Sequence, residues 1–392
     1  MKDQTSVGGI FAACCLVSLG ANAYMLAPAS IVPLLVTEFT ISKATAGLAI
    51  SAAIFGSVVI QLPGGFLMDR YDNRRLMLAG TLIFAPVAVL GTLTEVYYVF
   101  LAARALAGLA AGGLFVLGAN IVAEVFAGER QGFMTTLFLA SAPLGFAVSQ
   151  IAGPILGARF GWQAPFIAYP ALALLGYLLF RASRPSAIRT GDPISLAAFR
   201  LALRNRSVLL VSFAGFCSYV LYIFLNSWMP TYASEQLPIT LGQAGTIAAL
   251  LPAVGIVARP AGGWLSDRLG YRRRAVALLS LGFALPAFLI ISRAVSVLLF
   301  AAVMLGVGFC LQFGMGVYYV YTRELAGAGT SATSLTVFTT ISFLGTLVAP
   351  TLGGWLIETV AWGPTFLVHI GIGLLGIGLL VATPDSKPVG VE

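Results

Sequence analysis

The sequence predicts an all-α membrane protein of twelve transmembrane helices, arranged as two pseudo-symmetric six-helix bundles. Three observations carry this. Of 392 residues, 59% are hydrophobic and only 9% charged, where a soluble domain carries roughly 25% charged residues to cover its surface. Mean hydropathy is +0.96, and apolar stretches of the ~20 residues that span a bilayer fill nearly the whole chain. The sequence also resembles itself at a shift of about 200 residues, which points to an internal repeat.

Charge and turn clusters set the element boundaries. The spans fall near 8–37, 44–68, 74–93, 96–125, 130–158, 163–181, 207–233, 242–266, 273–292, 295–322, 330–357 and 362–382. The first follows a short polar start; it is too long for a cleavable signal, and no charged leader region with a small-residue cleavage site precedes it. Lys43 separates spans one and two, and Arg70, Arg74 and Arg75 separate two and three. Arg130 opens span five, and Arg159 ends it. The one long polar stretch carries several arginines with Pro185, Gly191 and Pro193, and divides the chain into an N-terminal bundle (1–181), a linker (182–206) and a C-terminal bundle (207–392). Arg268 to Arg274, Arg293 and Arg323 punctuate the second half in the same way.

The net charge of +8 is a topology signal rather than a nucleic-acid footprint. Of the 22 Lys and Arg residues, Lys43, Arg159 and Arg293 fall on one side of the membrane, and Arg104 and Arg259 lie inside spans. The other seventeen fall on the opposite side. Basic loops favour the cytoplasm, so both termini are expected there, in an inner or plasma membrane. Cys14, Cys15, Cys217 and Cys310 all lie in apolar spans without metal-ligand spacing, so they read as packing residues. Nothing indicates a cofactor.

The repeat is clearest in two loops. Gly64-Gly65-Phe66-Leu67-Met68-Asp69-Arg70 returns as Gly262-Gly263-Trp264-Leu265-Ser266-Asp267-Arg268, and Trp162-Gln163-Ala164-Pro165-Phe166 matches Trp362-Gly363-Pro364-Thr365-Phe366. With the following Arg74-Arg75 and Arg272-Arg273, the loops resemble the Gly-x-x-x-Asp-Arg-x-Gly-Arg-Arg signature of the major facilitator superfamily, and the resemblance covers the full length. The first copy departs from the pattern at Asp72 and Asn73. The resemblance implies a secondary transporter that alternates access around a site near the midplane, and a monomer. Asp69, Arg70, Arg74, Arg75, Asp267, Arg268 and Arg272 would then clamp helix ends at the inner face, joined by Glu124, Arg130 and Glu324 (beside Arg323) as a cytoplasmic gate.

No Gly-x4-Gly-Lys-Ser/Thr loop is present, so an ion or substrate gradient is the expected drive, by proton symport, exchange or uniport. Ionisable groups inside a bilayer are costly and hence functional candidates. Here two are cationic, Arg104 and Arg259, and every carboxylate sits at a span end or in a loop. A transported anion would supply the missing negative charge. Arg259 lies eight residues before Asp267, roughly 12 Å up the helix, in a setting that resembles the eighth span of nitrate/nitrite porters and the anion-binding arginine of monocarboxylate carriers. Its planar donors can hold two oxygens at once. Gln61 occupies the equivalent place in the first half, where nitrate porters carry a second arginine. One cation facing a neutral amide suits a singly charged anion such as a short monocarboxylate.

Arg104 resembles the fourth-span arginine of the superfamily, with a coupling or a structural role open. Tyr219, Tyr222 and Asn226 share one face of span seven. Asn22 and Tyr24 in span one, Gln150 in span five and Gln312 in span ten complete the candidate substrate-binding set. Tyr318, Tyr319 and Tyr321 read as interface anchors, and His369 as a packed residue. A proton-driven multidrug antiporter is the alternative, since Gly153-Pro154 in span five resembles a drug-antiporter element; the absence of an embedded carboxylate argues against it. No paired carboxylates, metal cluster or nucleophile with a base suggest an enzyme.

Overall fold

The computed structural model describes residues 6–128, 130–183, 185, 201–293, 296–326 and 330–385, the side chains of Leu62, Gly65, Phe66, Asp69 and Ala332 excepted. Most of the linker 182–206 therefore lies outside the described residues, as do Lys2 and Lys387. Among the described residues, twelve helices are long and apolar enough to cross a membrane. They are span 1 (Val7–Ser30), span 2 (Lys43–Gln61, its helix continuing to Arg70), span 3 (Asn73–Leu93), span 4 (Tyr97–Val125), span 5 (Gln131–Phe160) and span 6 (Ala164–Ala182). The second set is span 7 (Arg206–Gln236), span 8 (Leu241–Arg268), span 9 (Arg273–Ile291), span 10 (Val297–Leu325), span 11 (Thr333–Val360) and span 12 (Trp362–Val381). The chain divides into two compact units, Met1–Pro193 and Ile194–Glu392.

Each unit repeats one packing scheme. Span 1 packs on spans 5 and 6, span 2 on span 4, and span 3 on spans 4 and 6; spans 7 to 12 reproduce these pairs in the same order. Small residues let the backbones approach, as expected where lipid offers no hydrophobic drive. A Cβ on Gly108 would overlap the backbone of Ala53, and one on Gly308 would overlap that of Leu251. Spans 1 and 7 are the most buried of their units. The matched tryptophans close matched aromatic clusters: Trp162 packs on Phe39, Phe100 and Phe166, and Trp362 on Trp228, Tyr232 and Phe366.

Three spans are interrupted where the sequence reads them as continuous. Span 1 ends at Ser30, and a short helix, Val32–Phe39, resumes after Ile31. Span 5 breaks at Ala140, and span 8 breaks at Ala249 and again at Val254. Prolines account for most of this. Pro143 and Pro252 cannot donate to the carbonyls four residues earlier, Leu139 and Ala248.

Candidate functional site

In the second unit, Arg259 is half-buried on span 8. Its Nε donates to Gln312 Oε1 on span 10 at 2.7 Å. Gln312 is fully buried, and its amide nitrogen donates to the carbonyls of Pro252 (2.9 Å) and Leu251 (3.4 Å). No carboxylate among the described residues lies within 4.0 Å of Arg259, and its two terminal nitrogens make no hydrogen bond to a described residue. Four N–H donors of a cation thus have no partner among the described residues.

Tyr219, Tyr222 and Asn226 do share a face of one unbroken helix and are all buried. The Tyr219 hydroxyl pairs with that of Tyr319 at 3.3 Å, and the Asn226 amide donates to its own helix at Tyr222 O (2.8 Å). Tyr318, Tyr319 and Tyr321 are not interface anchors. Tyr318 pairs with Ser218 at 2.9 Å and Tyr321 donates to Pro384 O at 2.8 Å, both rings buried. Tyr319 is the residue that sequence reasoning missed. The signal was present: Gln312, Gly316 and Tyr319 stand at i, i+4 and i+7 on the span 10 face that meets Arg259, and a Cβ on Gly316 would overlap the Arg259 backbone.

The first unit differs. Gln61 is half-buried and makes no hydrogen bond to a described residue. Asn22 donates to Ser18 O at 2.8 Å, and Ser18 bonds Ser141 at 2.6 Å, which ties span 1 to span 5. Gln150 is fully buried on span 5. Arg104 has all three nitrogens engaged by backbone: Nε to Ala49 O (2.8 Å), Nη1 to Tyr24 O (2.9 Å) and Nη2 to Met25 O (2.9 Å). Its Cζ lies 4.5 Å from the centre of the Tyr24 ring and 5.3 Å from that of Phe166, within cation–π range. The cause is local. Pro28 has no N–H, so the Tyr24 carbonyl lacks its helical donor, and the guanidinium supplies one. Arg104 and Tyr24 are therefore built into the crossing of spans 1, 2 and 4.

At the loops between spans 2 and 3 and between spans 8 and 9 the geometry revises the expected partners. Arg273, only 6% exposed at its side chain, bonds Asp267 at 2.5 Å and Glu324 at 2.9 Å, with Ser266 at 3.0 Å. Arg273 thus clamps spans 8, 9 and 10 in place of Arg268 and Arg272. Arg268 stacks on the exposed Trp264 ring (4.4 Å), and Arg272 is exposed. The first unit has no such clamp among its described side chains. Asp72 caps span 3 by accepting from Arg74 N (3.0 Å) and pairs with the Arg74 guanidinium (2.6 Å), and Arg74 reaches Pro185 O at 3.1 Å. Arg70, Arg75, Glu124 and Arg130 are exposed, and Glu124 and Arg130 do not pair. The Asp69 side chain lies outside the described residues. The loops differ in length. Gly270 and Tyr271 turn through φ of +71° and +63°, whereas Asp72 stays extended and span 3 starts at Asn73. Buried Asn73 thus fills the place of Arg273.

His369 is fully buried, stacked 3.6 Å from Phe224, with Nδ1 2.8 Å from Thr365 O. Among the described residues, no three His, Cys, Asp or Glu side chains gather as a metal site.

A family model described as Major Facilitator Superfamily matches residues 12–348. The chain belongs to that superfamily. Among curated relatives it is 26% identical to a probable sulfoacetate transporter of Cupriavidus necator, over 91% of this chain and 90% of that one. It is 24% identical to a cis,cis-muconate transport protein of Acinetobacter baylyi (84% and 83%) and 27% identical to a probable nitrate/nitrite transporter of Mycobacterium tuberculosis (88% and 86%). Solved structures confirm the superfamily fold. The nucleoside transporter NupG superposes with TM-score 0.82 at 14% identity, covering 96% of this chain and 99% of that one. A bacterial homologue of the human lysosomal transporter Spinster gives TM-score 0.80 at 16% identity (99% and 100%). This superfamily member is thus a multi-pass membrane protein whose relatives are transporters, several of them for anions.

Proposed function

We propose that this protein is a secondary transporter of a small, singly charged anion, such as a short monocarboxylate, and that it works by alternating access with Arg259 as the group that reads the negative charge. One observation carries the reading. Arg259 is a half-buried cation inside a span whose protein partner is a neutral carboxamide, with no carboxylate beside it among the described residues. A charge in so low a dielectric calls for a counter-charge, and the passenger provides it. The names of the sulfoacetate, muconate and nitrate/nitrite relatives support an anionic substrate. Gln61 at the equivalent place in the first unit supports a single negative charge.

Tyr219, Tyr222 and Tyr319 would receive the uncharged part of the substrate, and the Arg273–Asp267–Glu324 clamp would hold the ends of spans 8 to 10 together. The arginine distribution supports an inner or plasma membrane with both termini cytoplasmic. The test is uptake into liposomes holding the purified protein, offered monocarboxylates, nitrate and lipophilic cations in turn, with Arg259→Ala alongside. Anion uptake is expected to fall by roughly 100-fold in the variant, the scale of losing a bidentate charge-assisted contact. Cation binding that survives Arg259→Ala, with no response to any anion in the parent, would replace this reading with the drug-antiporter one.

A further inference from the structure

Gln312 does two things at once. Span 8 is interrupted at Val254, and the Gln312 amide nitrogen donates to two carbonyls just before the break, Leu251 and Pro252. Those acceptors fix the orientation of the carboxamide, because only its NH2 can donate to them. Its oxygen is thereby turned toward Arg259 Nε at 2.7 Å. With the Nε edge taken, the guanidinium can meet a ligand only through its Nη1/Nη2 end.

The internal repeat isolates this device. Arg259 corresponds to Gln61, Gly255 to Ser57, and Gln312 to Gly112, at the crossings of spans 8 and 10 and of spans 2 and 4. In the first unit the small residue is on span 4, with Gly112 backed against Ser57. In the second unit the bulk has moved to span 10. A Cβ on Gly255 would overlap the Nε2, Cδ and Oε1 atoms of Gln312, so Gly255 is the space the carboxamide occupies. Where the arginine is absent, its holder and the room for that holder are absent too. The two units differ at all three positions together.

Building on the anion reading of Arg259, we infer that Gln312, seated in the space left by Gly255, is the positioning residue that sets Arg259 end-on for the anion. Gln312 does not touch the substrate. It acts by fixing the angle of the guanidinium, and a neutral holder does so without cancelling the charge.

The experiment measures transport KM and maximal rate in liposomes for the anion that the parent takes up, using Gln312→Met, Gly255→Ala, their double variant, Arg259→Ala, Arg259→Lys, and Gln312→Met in the Arg259→Lys background. Gln312→Met and Gly255→Ala are each expected to raise KM about tenfold, the scale of one charge-assisted hydrogen bond, with maximal rate kept within about twofold. The double variant should be no worse than the poorer single one. In the Arg259→Lys background, which has no Nε–H to hold, Gln312→Met should leave KM unchanged. A purely structural glutamine would lower the maximal rate or the yield of folded protein equally in both backgrounds, and that result overturns the inference. So does an unchanged KM in Gly255→Ala, which keeps the glutamine and tests the geometry even where Gln312→Met does not fold. If Arg259→Ala itself leaves anion uptake intact, both the reading and this inference fall. If Arg259→Ala abolishes uptake but the Gln312 and Gly255 variants keep the parental KM, only the inference falls.

Discussion

Replacing Arg104 by methionine separates a strut from a substrate group. The native guanidinium makes three hydrogen bonds to backbone carbonyls and lies over two rings. In aqueous proteins each charge-assisted bond contributes about 1.5–3 kcal/mol, but measured values between membrane helices average only about 0.6 kcal/mol, because alternative partners exist there. The Tyr24 carbonyl has no alternative: Pro28 denies it the helical donor, so the variant leaves it unsatisfied at a cost of about 1–3 kcal/mol. Three membrane bonds together with the orphaned acceptor, less the relief of burying a charge, give a net loss of about 2–4 kcal/mol. For a unit of this size that is a fall in melting temperature of about 5–15 °C, readable by thermal unfolding in detergent. Lysine should fall between, since its point charge cannot span three acceptors on two helices. The anion KM of folded Arg104→Met should stay near the parent's. A variant as heat-stable as the parent, with anion affinity down tenfold, would refute the strut and return Arg104 to the substrate site.

Arg273→Met should destabilise by about 3 kcal/mol, because it strands the part-buried Glu324 carboxylate. Adding Glu324→Gln should recover part of that loss, and a double-mutant cycle on thermal stability reads the coupling. Gly108→Leu should prevent spans 2 and 4 from closing, since even a Cβ overlaps the Ala53 backbone; loss of a monodisperse peak on size exclusion is the expected outcome, while Gly282→Ala, with open space around it, should behave as the parent does.

The spans were legible because loop charges interrupt an otherwise apolar chain, and the repeat was legible because its loops retain Asp and Arg. Interaction partners were harder to read. Arg104 is recognisable as a charge in a span, but its role depends on a carbonyl released by Pro28, far away in sequence. Tyr319 was judged by depth near the inner end of its span; its helical phase with Gln312 was the better guide. Arg273 was passed over for its neighbours because matching the two loops residue by residue hides their difference in length, and that difference decides which side chain starts the next helix inward. Gln61 and Arg259 were paired by position, but nothing in either position alone announces the glutamine that holds the arginine.

Spans 8, 9 and 10 are stapled at three heights: Gln312 between Arg259 and the Leu251–Pro252 carbonyls, Ser280 donating to Cys310 O at 2.7 Å, and Arg273 between Asp267 and Glu324. A rod fastened at several levels tilts as a raft and does not flex. On the proposed reading, capture of a passenger by the guanidinium displaces three helices in unison, and spin labels on spans 8 and 10 should keep a constant separation throughout the transport cycle.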